Sequence, residues 1–226
     1  MAEPVVLGRR ERRRLETIEE VLDVAVDVMT EQGVAGLSIG EVARRMGIRP
    51  PSLYVYFDSK NALYDAVFAR GAAAATRVAA AAYEDIAPDV TDARDALLPV
   101  GEAFVKWAVE HPAYSHLLFW RPVPGYEPSP EAYAASVDLM TLTTEFFDGL
   151  RRQRLLRTDV PLEQVVRDWT IVISGVISQQ LSNAPEESFH TGRFTTALPA
   201  VVAMFVGCYG ADPAHPRKRK PRANHR

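Results

Sequence analysis

Apolar side chains recur at steps of three and four residues along most of the chain, which is the spacing of one face of an α-helix. The first such segment ends at Gly33, a helix-stopping residue. Its apolar positions are Leu15, Ile18, Leu22, Ala25 and Met29. Strand-like alternation bounded by turn dipeptides is nearly absent. The pattern therefore predicts an all-α protein.

Prolines divide the remaining helical segments, because proline cannot continue a helix interior. An alanine-rich helix from Lys60 to about Ala82 precedes Pro88, and a helix around 104–109 precedes Pro112. Four prolines within residues 121–130 predict a loop. Further helices are expected at about 131–156, at 162–183 and near 192–209.

Two short helices are predicted within the segment LSIGEVARRMGIRPPSLYVYF, residues 37–57. Ser38 and Glu41 have the spacing of a capping box, in which the hydroxyl and the carboxylate each accept a backbone N–H. Gly47 supplies a left-handed residue that ends the first helix, and the prolines at 50 and 51 can begin the second. The short connection forces a steep crossing, as in a helix-turn-helix.

A helical hairpin inside a bundle would explain the capping box and the glycine equally well. The second helix favours DNA binding, because it is very short, has polar groups in its first turn and places Tyr54 and Tyr56 around Val55. Hydroxyls of Ser52 and the two tyrosines can reach phosphates, with Arg49 or the first turn near base edges.

Residues 33–68, GVAGLSIGEVARRMGIRPPSLYVYFDSKNALYDAVF, resemble the DNA-binding domain of TetR-type transcriptional regulators. The shared pattern is a Ser/Thr cap, an I/V-A pair, a glycine turn, Leu-Tyr-x-His/Tyr-Phe, a Lys and a Leu. The resemblance implies a homodimeric repressor that a small molecule releases from a palindromic double-stranded DNA operator. It implies phosphate contacts from Ser38, Tyr54 and Tyr56, and a contact from Lys60 at the start of the fourth helix. The full candidate DNA-binding set is Ser38, Arg49, Pro50, Ser52, Tyr54, Tyr56 and Lys60.

Two positions depart from the family pattern. Tyr56 stands where histidine is frequent, and Arg49 stands at a cap position that Ser or Thr often occupies. Arg49 is therefore a weaker cap and is free to reach DNA, which leaves the base-reading set open.

Three regions are expected along the chain. Residues 9–60 would form a three-helix helix-turn-helix domain, and residues 61–211 a helical-bundle domain for effector binding and dimerisation. Residues 212–226 form a basic tail with too few apolar groups to fold. The segment WAVEHPAYSHLLFWRP, residues 107–122, is similar to the helix–His-Pro–helix junction of WHG-type effector domains.

Charge is unevenly distributed, although the net charge is only −3. Residues 61–216 hold eleven basic and nineteen acidic side chains, whereas the last ten residues hold six basic and no acidic ones. An acidic body fits poorly with sequence-blind DNA compaction. The basic ends, including RRERRR at 9–14, are either solvated tails or local phosphate contacts, and both interpretations stay open.

Aromatic residues gather in the middle of the chain. Any single one of them is most simply a core residue, but as a set they can line a ligand cavity between helices. The expected effector is apolar or aromatic. The candidate ligand-binding residues are Trp107, His111, Tyr114, Phe119, Trp120, Phe146 and Trp169.

The last two helices are apolar on more than one face, so each needs two partners. One partner is expected to be a second subunit, which makes a homodimer, although a central helix of a single bundle would show the same pattern. The candidate interface residues are Ile173, Gly175, Val176, Val202 and Phe205.

No phosphate-cradling glycine loop, zinc motif or nucleophile–base arrangement appears, so no catalytic residue, metal or cofactor is predicted. No apolar run is long enough to cross a bilayer, and a single cysteine, Cys208, precludes an internal disulfide. These features predict a cytoplasmic regulator that is not an enzyme. The alternative is a helical-bundle small-molecule-binding protein or enzyme with no specific DNA binding, and salt-sensitive binding to a palindromic duplex would separate the two.

Overall fold

The computed structural model describes residues 8–211, and over that range the regular elements are helices. The prediction of an all-α fold is confirmed. The α-helices are α1 (Arg9–Gln32), α2 (Ile39–Arg45), α3 (Pro50–Leu53), α4 (Lys60–Glu84), α5 (Ala93–Glu110), α6 (Pro112–Phe119), α7 (Pro130–Arg152), α8 (Leu162–Asn183) and α9 (Leu198–Tyr209). Among these described helices, none combines the length and the apolar character that a membrane crossing requires.

Helix starts differ from the expectation at three places. The RRERRR run is helical, because α1 begins at Arg9, whereas the basic run near the C-terminus lies outside the described residues. The helix expected around 104–109 begins at Ala93, where the Asp92 side chain caps it by accepting the N–H of Arg94 at 2.6 Å. The last helix begins at Leu198, six residues after its predicted start near 192.

The late start of α9 has a local cause. Residues 192–197 form a turn that folds back onto α8, where the side-chain oxygen of Gln180 accepts the N–H groups of Phe194 and Thr195 at 3.2 and 3.3 Å. Pro199, which has no N–H to donate, occupies the first turn of α9. The buried amide therefore decides where the last helix can begin.

The capping box at the start of α2 forms only in part. The Ser38 hydroxyl accepts the N–H of Glu41 at 3.2 Å, as the sequence predicts. The Glu41 carboxylate does not reach back to the cap but accepts hydrogen bonds from Arg44 and Arg45, each at 2.8 Å. Two cations close by hold this carboxylate more strongly than one backbone N–H would.

The long helix α4 belongs to both halves of the protein. Near its start, α4 packs against α1, Leu63 and Val67 are fully buried, and the Tyr64 hydroxyl donates to the Val34 carbonyl at 2.8 Å. Further along, α4 packs against α5, α6 and α7. Since an α-helix rises 1.5 Å per residue, about 28 Å of continuous helix separates Tyr64 from Tyr83.

The core of the C-terminal half is aromatic. The rings of Phe147, Trp169 and Phe205, from α7, α8 and α9, lie with their centroids 5.2 to 6.2 Å apart in tilted and edge-to-face arrangements. Such arrangements match the charge distribution of aromatic rings. The cluster fastens the last three helices into one bundle.

Candidate DNA-binding face and ligand cavity

The two short helices α2 and α3 are held at a steep crossing by backbone geometry. Gly47 has a φ of 68°, a left-handed conformation that glycine adopts without strain. The N–H of Ile48 then donates to the Ala43 carbonyl at 3.0 Å and closes the turn. On α3, Leu53 is fully buried and anchors the helix, whereas Tyr54 is 51% exposed and Val55 is 73% exposed.

The predicted DNA-binding residues lie at the N-cap of α2, on or beside α3, or at the start of α4. All of them are exposed except Tyr56, which is half-buried. The guanidinium of Arg14, on α1, lies 5.6 Å from the centre of the Tyr56 ring. Lys60, in the first turn of α4, has its ammonium 3.4 Å from the Ala35 carbonyl and 5.3 Å from the Tyr64 ring. The structure thus adds Arg14 to the neighbourhood of this face.

A charged cluster fixes α2 against α1. Arg45 makes a bidentate pair with Glu31 of α1, with N–O distances of 2.9 and 2.6 Å, and also donates to Glu41. The hydrogen bonds from Arg44 and Arg45 lower the pKa of Glu41 to about 2, and the two carboxylates raise the pKa of Arg45. Arg44 retains a 70% exposed side chain, so its guanidinium can face a phosphate. The sequence interpretation did not single out this residue.

A cavity of about 560 Å³ lies between α4, α5, α7 and α8. Space for it arises on α4, where Ala72 and Ala79 present only methyl groups, and on α5, where Gly101 presents none. Five aromatic residues contribute to its wall: Tyr83, Phe104, Phe119, Tyr133 and Trp169. Hydroxyl groups from α7 and α8 complete it, so the lining is largely apolar with a few polar groups, as in small-molecule sites.

Two consecutive hydrogen bonds hold Tyr83 in this wall. Its hydroxyl donates to Thr143 Oγ1 at 3.1 Å, and the Thr143 hydroxyl donates to the Leu139 carbonyl at 2.8 Å. Burial raises the pKa of Tyr83, so the phenol stays neutral at physiological pH. The Phe146 ring stacks on the opposite face of Tyr83 at 4.0 Å. Phe146 therefore supports the wall and does not line the cavity.

Of the seven residues expected to bind a ligand, Phe119 and Trp169 line the cavity. Trp107, His111 and Tyr114 stack on one another with centroids 5.6 to 6.4 Å apart. Trp120 packs edge-on against His116 and Phe119. The other five, Trp107, His111, Tyr114, Trp120 and Phe146, do not line this cavity, and their contact with a ligand stays a prediction.

The physical reason lies in the face of α5 that meets the cavity. Val100, Gly101 and Phe104 share one face at spacings of three and four residues, and this face lines the cavity. The Trp107 side chain instead packs on α6. Sequence reasoning missed Phe104 and Tyr83. The alanine-rich composition of α4 was the signal that could have found the cavity, because small side chains on a packed helix leave room for one.

A second charged cluster joins the two halves beside Tyr114. Arg70 of α4 donates from Nε to the Tyr114 hydroxyl at 2.7 Å. Its Nη1 reaches Asp23 at 2.7 Å and Glu19 at 3.2 Å, both on α1. One guanidinium thus connects α1, α4 and α6.

Four of the five predicted interface residues are buried within the protomer. Ile173, Val176, Val202 and Phe205 are each at most 7% exposed, because α8 and α9 pack against each other and against α5. Only Gly175 is exposed. The outward faces of the two helices present other apolar residues: Ile171 is 59% exposed and Met204 is 65% exposed.

The arrangement is that of a helix-turn-helix protein with a second, cavity-bearing helical domain. Residues 21–67 match the family described as bacterial regulatory proteins, tetR family, and residues 97–211 match the tetracyclin repressor-like, C-terminal domain. The two matches cover most of the chain. The chain therefore belongs to the TetR family of bacterial regulatory proteins, and the family resemblance noted from the sequence is confirmed.

Individual relatives agree with this assignment. The HTH-type transcriptional regulator Rv1816 of Mycobacterium tuberculosis is 27% identical over 159 residues, which cover 66% of this chain and 62% of that protein. The match thus spans about three fifths of the length of this curated relative. The tetracycline repressor protein class D of Escherichia coli is 39% identical over 49 residues, 22% of each chain.

Solved structures show the same fold. A protein with unknown function from Rhodococcus sp. RHA1 has a TM-score of 0.72 at 18% identity, covering 92% of this chain and 100% of that one. The regulator FadR from Bacillus subtilis, solved in complex with stearoyl-CoA, has a TM-score of 0.65 at 12% identity, covering 83% and 97%.

Proposed function

We propose that the protein is a ligand-responsive transcriptional repressor that leaves a palindromic DNA operator when a small molecule occupies the cavity. One observation carries this proposal: a single helix, α4, begins at the candidate DNA-binding face with Lys60 and lines the cavity with Ala72, Ala79 and Tyr83. A ligand that displaces α4 at the cavity would therefore move the helix that packs against α1 of the DNA-binding unit.

The candidate DNA contacts divide by chemistry. Ser38, Ser52 and Tyr54 offer exposed hydroxyls, and Lys60 offers a charge, all of which suit phosphate oxygens. Arg49 and Pro50 stand at the N-terminus of α3, the part of a recognition helix that reaches base edges. Tyr56 would donate from its hydroxyl, and its half-buried ring lies beside the guanidinium of Arg14.

The homodimer would form through the outward faces of α8 and α9. Ile171 and Met204 supply exposed apolar surface there, and Gly175 and Gly207 have no atom within 4 Å of an added Cβ, so a partner helix can approach their backbones. A two-fold symmetric dimer places two copies of α3 on one duplex, about 34–36 Å or a multiple of it apart.

Within this proposal, residues 9–60 form the DNA-binding domain and residues 61–211 the effector and dimerisation domain, with α4 connecting them. The expected effector is apolar or aromatic, because the lining is dominated by aromatic and aliphatic side chains.

The test begins with genomic DNA fragments that the purified protein retains, which are sequenced to find the operator. Tyr54→Phe should then weaken binding by a similar factor on all operator variants, because a phosphate contact carries no base information. Thr158→Val, which removes an exposed hydroxyl in the loop between α7 and α8, is the control and should bind as the unaltered protein does. Failure to retain any common palindromic sequence would contradict the proposal.

A further inference from the structure

Charge is almost absent from the cavity wall. Among the described residues that line it there is no lysine, arginine or histidine, and Glu145 of α7 is the one carboxylate. The remaining polar lining consists of hydroxyl groups, which come from serines and threonines of α7 and α8 together with Tyr83 and Tyr133. An anionic group entering this cavity would therefore find no counter-ion in its wall.

Glu145 itself has no partner within residues 8–211: no hydrogen bond or ion pair there involves its carboxylate. The basic residues at the end of the same helix are already engaged. Arg152 pairs with Asp148 at 3.4 Å, and Arg151 donates to the Val160 carbonyl. Glu145 both lines the cavity and is exposed, so this residue lies where the cavity wall meets solvent.

Both the charge of Glu145 and the aromatic rings of the wall favour a positively charged ligand over a negatively charged one. A carboxylate placed near Glu145 is repelled, and without a cation its desolvation is not compensated. Glu145 attracts a cationic group. The aromatic rings of Tyr83, Phe104 and Trp169 can stabilise it further, because the face of an aromatic ring is partially negative.

We propose that the cavity takes a hydrophobic ligand with a cationic head group, an amine or quaternary ammonium, whose apolar body lies along the aromatic wall and whose charge lies at Glu145. This assignment rests on the proposed function, in which the cavity is the effector site, and it narrows the effector from apolar molecules in general to apolar cations.

Three probes with the same alkyl chain test the assignment: dodecyltrimethylammonium, dodecanol and dodecanoate, each below its micelle concentration. The change in tryptophan fluorescence on titration measures their affinities, since Trp169 lines the cavity. The ammonium probe should bind most tightly and dodecanoate least tightly. Removing one exposed charge at contact distance, with Glu145→Gln, should weaken the ammonium probe about fivefold and leave dodecanol unchanged.

Glu131→Gln is the matched control, because Glu131 is an exposed glutamate on the same helix that does not line the cavity. It should leave all three affinities unchanged, which separates a local effect of Glu145 from attraction to the acidic surface. Dodecanoate binding as tightly as the ammonium probe would overturn the assignment, as would an ammonium affinity that Glu145→Gln does not reduce.

Release of operator DNA, measured with the same probes, separates this assignment from the proposed function. If the ammonium probe binds with the expected dependence on Glu145 but never weakens DNA binding, the effector-responsive function fails and the ligand class stands. If dodecanoate binds and releases DNA more effectively than the ammonium probe, the function stands and the ligand class fails.

Discussion

Helices α4 and α6 pack closely at Gly71, which has no side chain. Gly71 is buried on α4, and a Cβ added there would lie 2.6 Å from Cδ1 of Tyr114, with Cγ and Cβ of the same residue at 3.1 and 3.3 Å. Carbon atoms not bonded to each other are most stable at about 3.5–4.0 Å. Gly71→Ala therefore requires the Tyr114 ring to move by about 1 Å.

The expected effect is the difference of two terms. Alanine in a helix interior is about 1 kcal/mol more favourable than glycine. Overpacking a filled core costs about 1–3 kcal/mol, and the ring movement also lengthens the 2.7 Å bond between Arg70 and the Tyr114 hydroxyl. Gly71→Ala should therefore lower the free energy of unfolding by up to about 2 kcal/mol.

Urea unfolding at a fixed protein concentration measures this change, since a dimer's stability depends on concentration. Gly149→Ala on α7 is the control, because no atom lies within 4 Å of its added Cβ, and it should raise stability by about 0.5–1 kcal/mol. In a Tyr114→Ala background only the Cβ contact at 3.3 Å remains, so Gly71→Ala should be less destabilising than in the unaltered protein. A stabilising Gly71→Ala in the otherwise unaltered protein would refute the steric argument.

Four further outcomes are expected. Gln180→Leu should lower the free energy of unfolding by about 3 kcal/mol in urea titrations, because it leaves the N–H groups that begin the turn before α9 without an acceptor. Gly175→Arg should yield monomers in sedimentation and abolish specific DNA binding; a dimer that survives it would place the interface elsewhere. Glu41 contributes stability that is present above pH 4.5 and lost as the pH falls toward 2, so Glu41→Gln should flatten the decline of the urea midpoint over that window. Deleting residues 212–226 should flatten the salt dependence of operator binding only if the tail contacts DNA, by about 0.9 in slope for each phosphate neutralised; an unchanged slope would favour a solvated tail.

Local signals were sufficient for the fold class and for the DNA-binding unit. The cap at Ser38, the left-handed Gly47 and the proline pair at 50 and 51 act through backbone geometry within a few residues, so the sequence alone predicts where α2 ends and α3 begins. The helix at 162–183 was predicted with its observed bounds, because a spacing of three and four residues between turn signals is also local.

Tertiary packing decided which side chain of a helix meets which neighbour. Ile171 and Ile173 look alike in the sequence, yet Ile173 is buried beside the cavity and Ile171 faces solvent. Phe104 lines the cavity while Trp107, one turn later on α5, packs on α6. Helical periodicity specifies that a face is apolar, but the direction and distance of the neighbouring helices determine whether that face meets a core, a cavity or a surface.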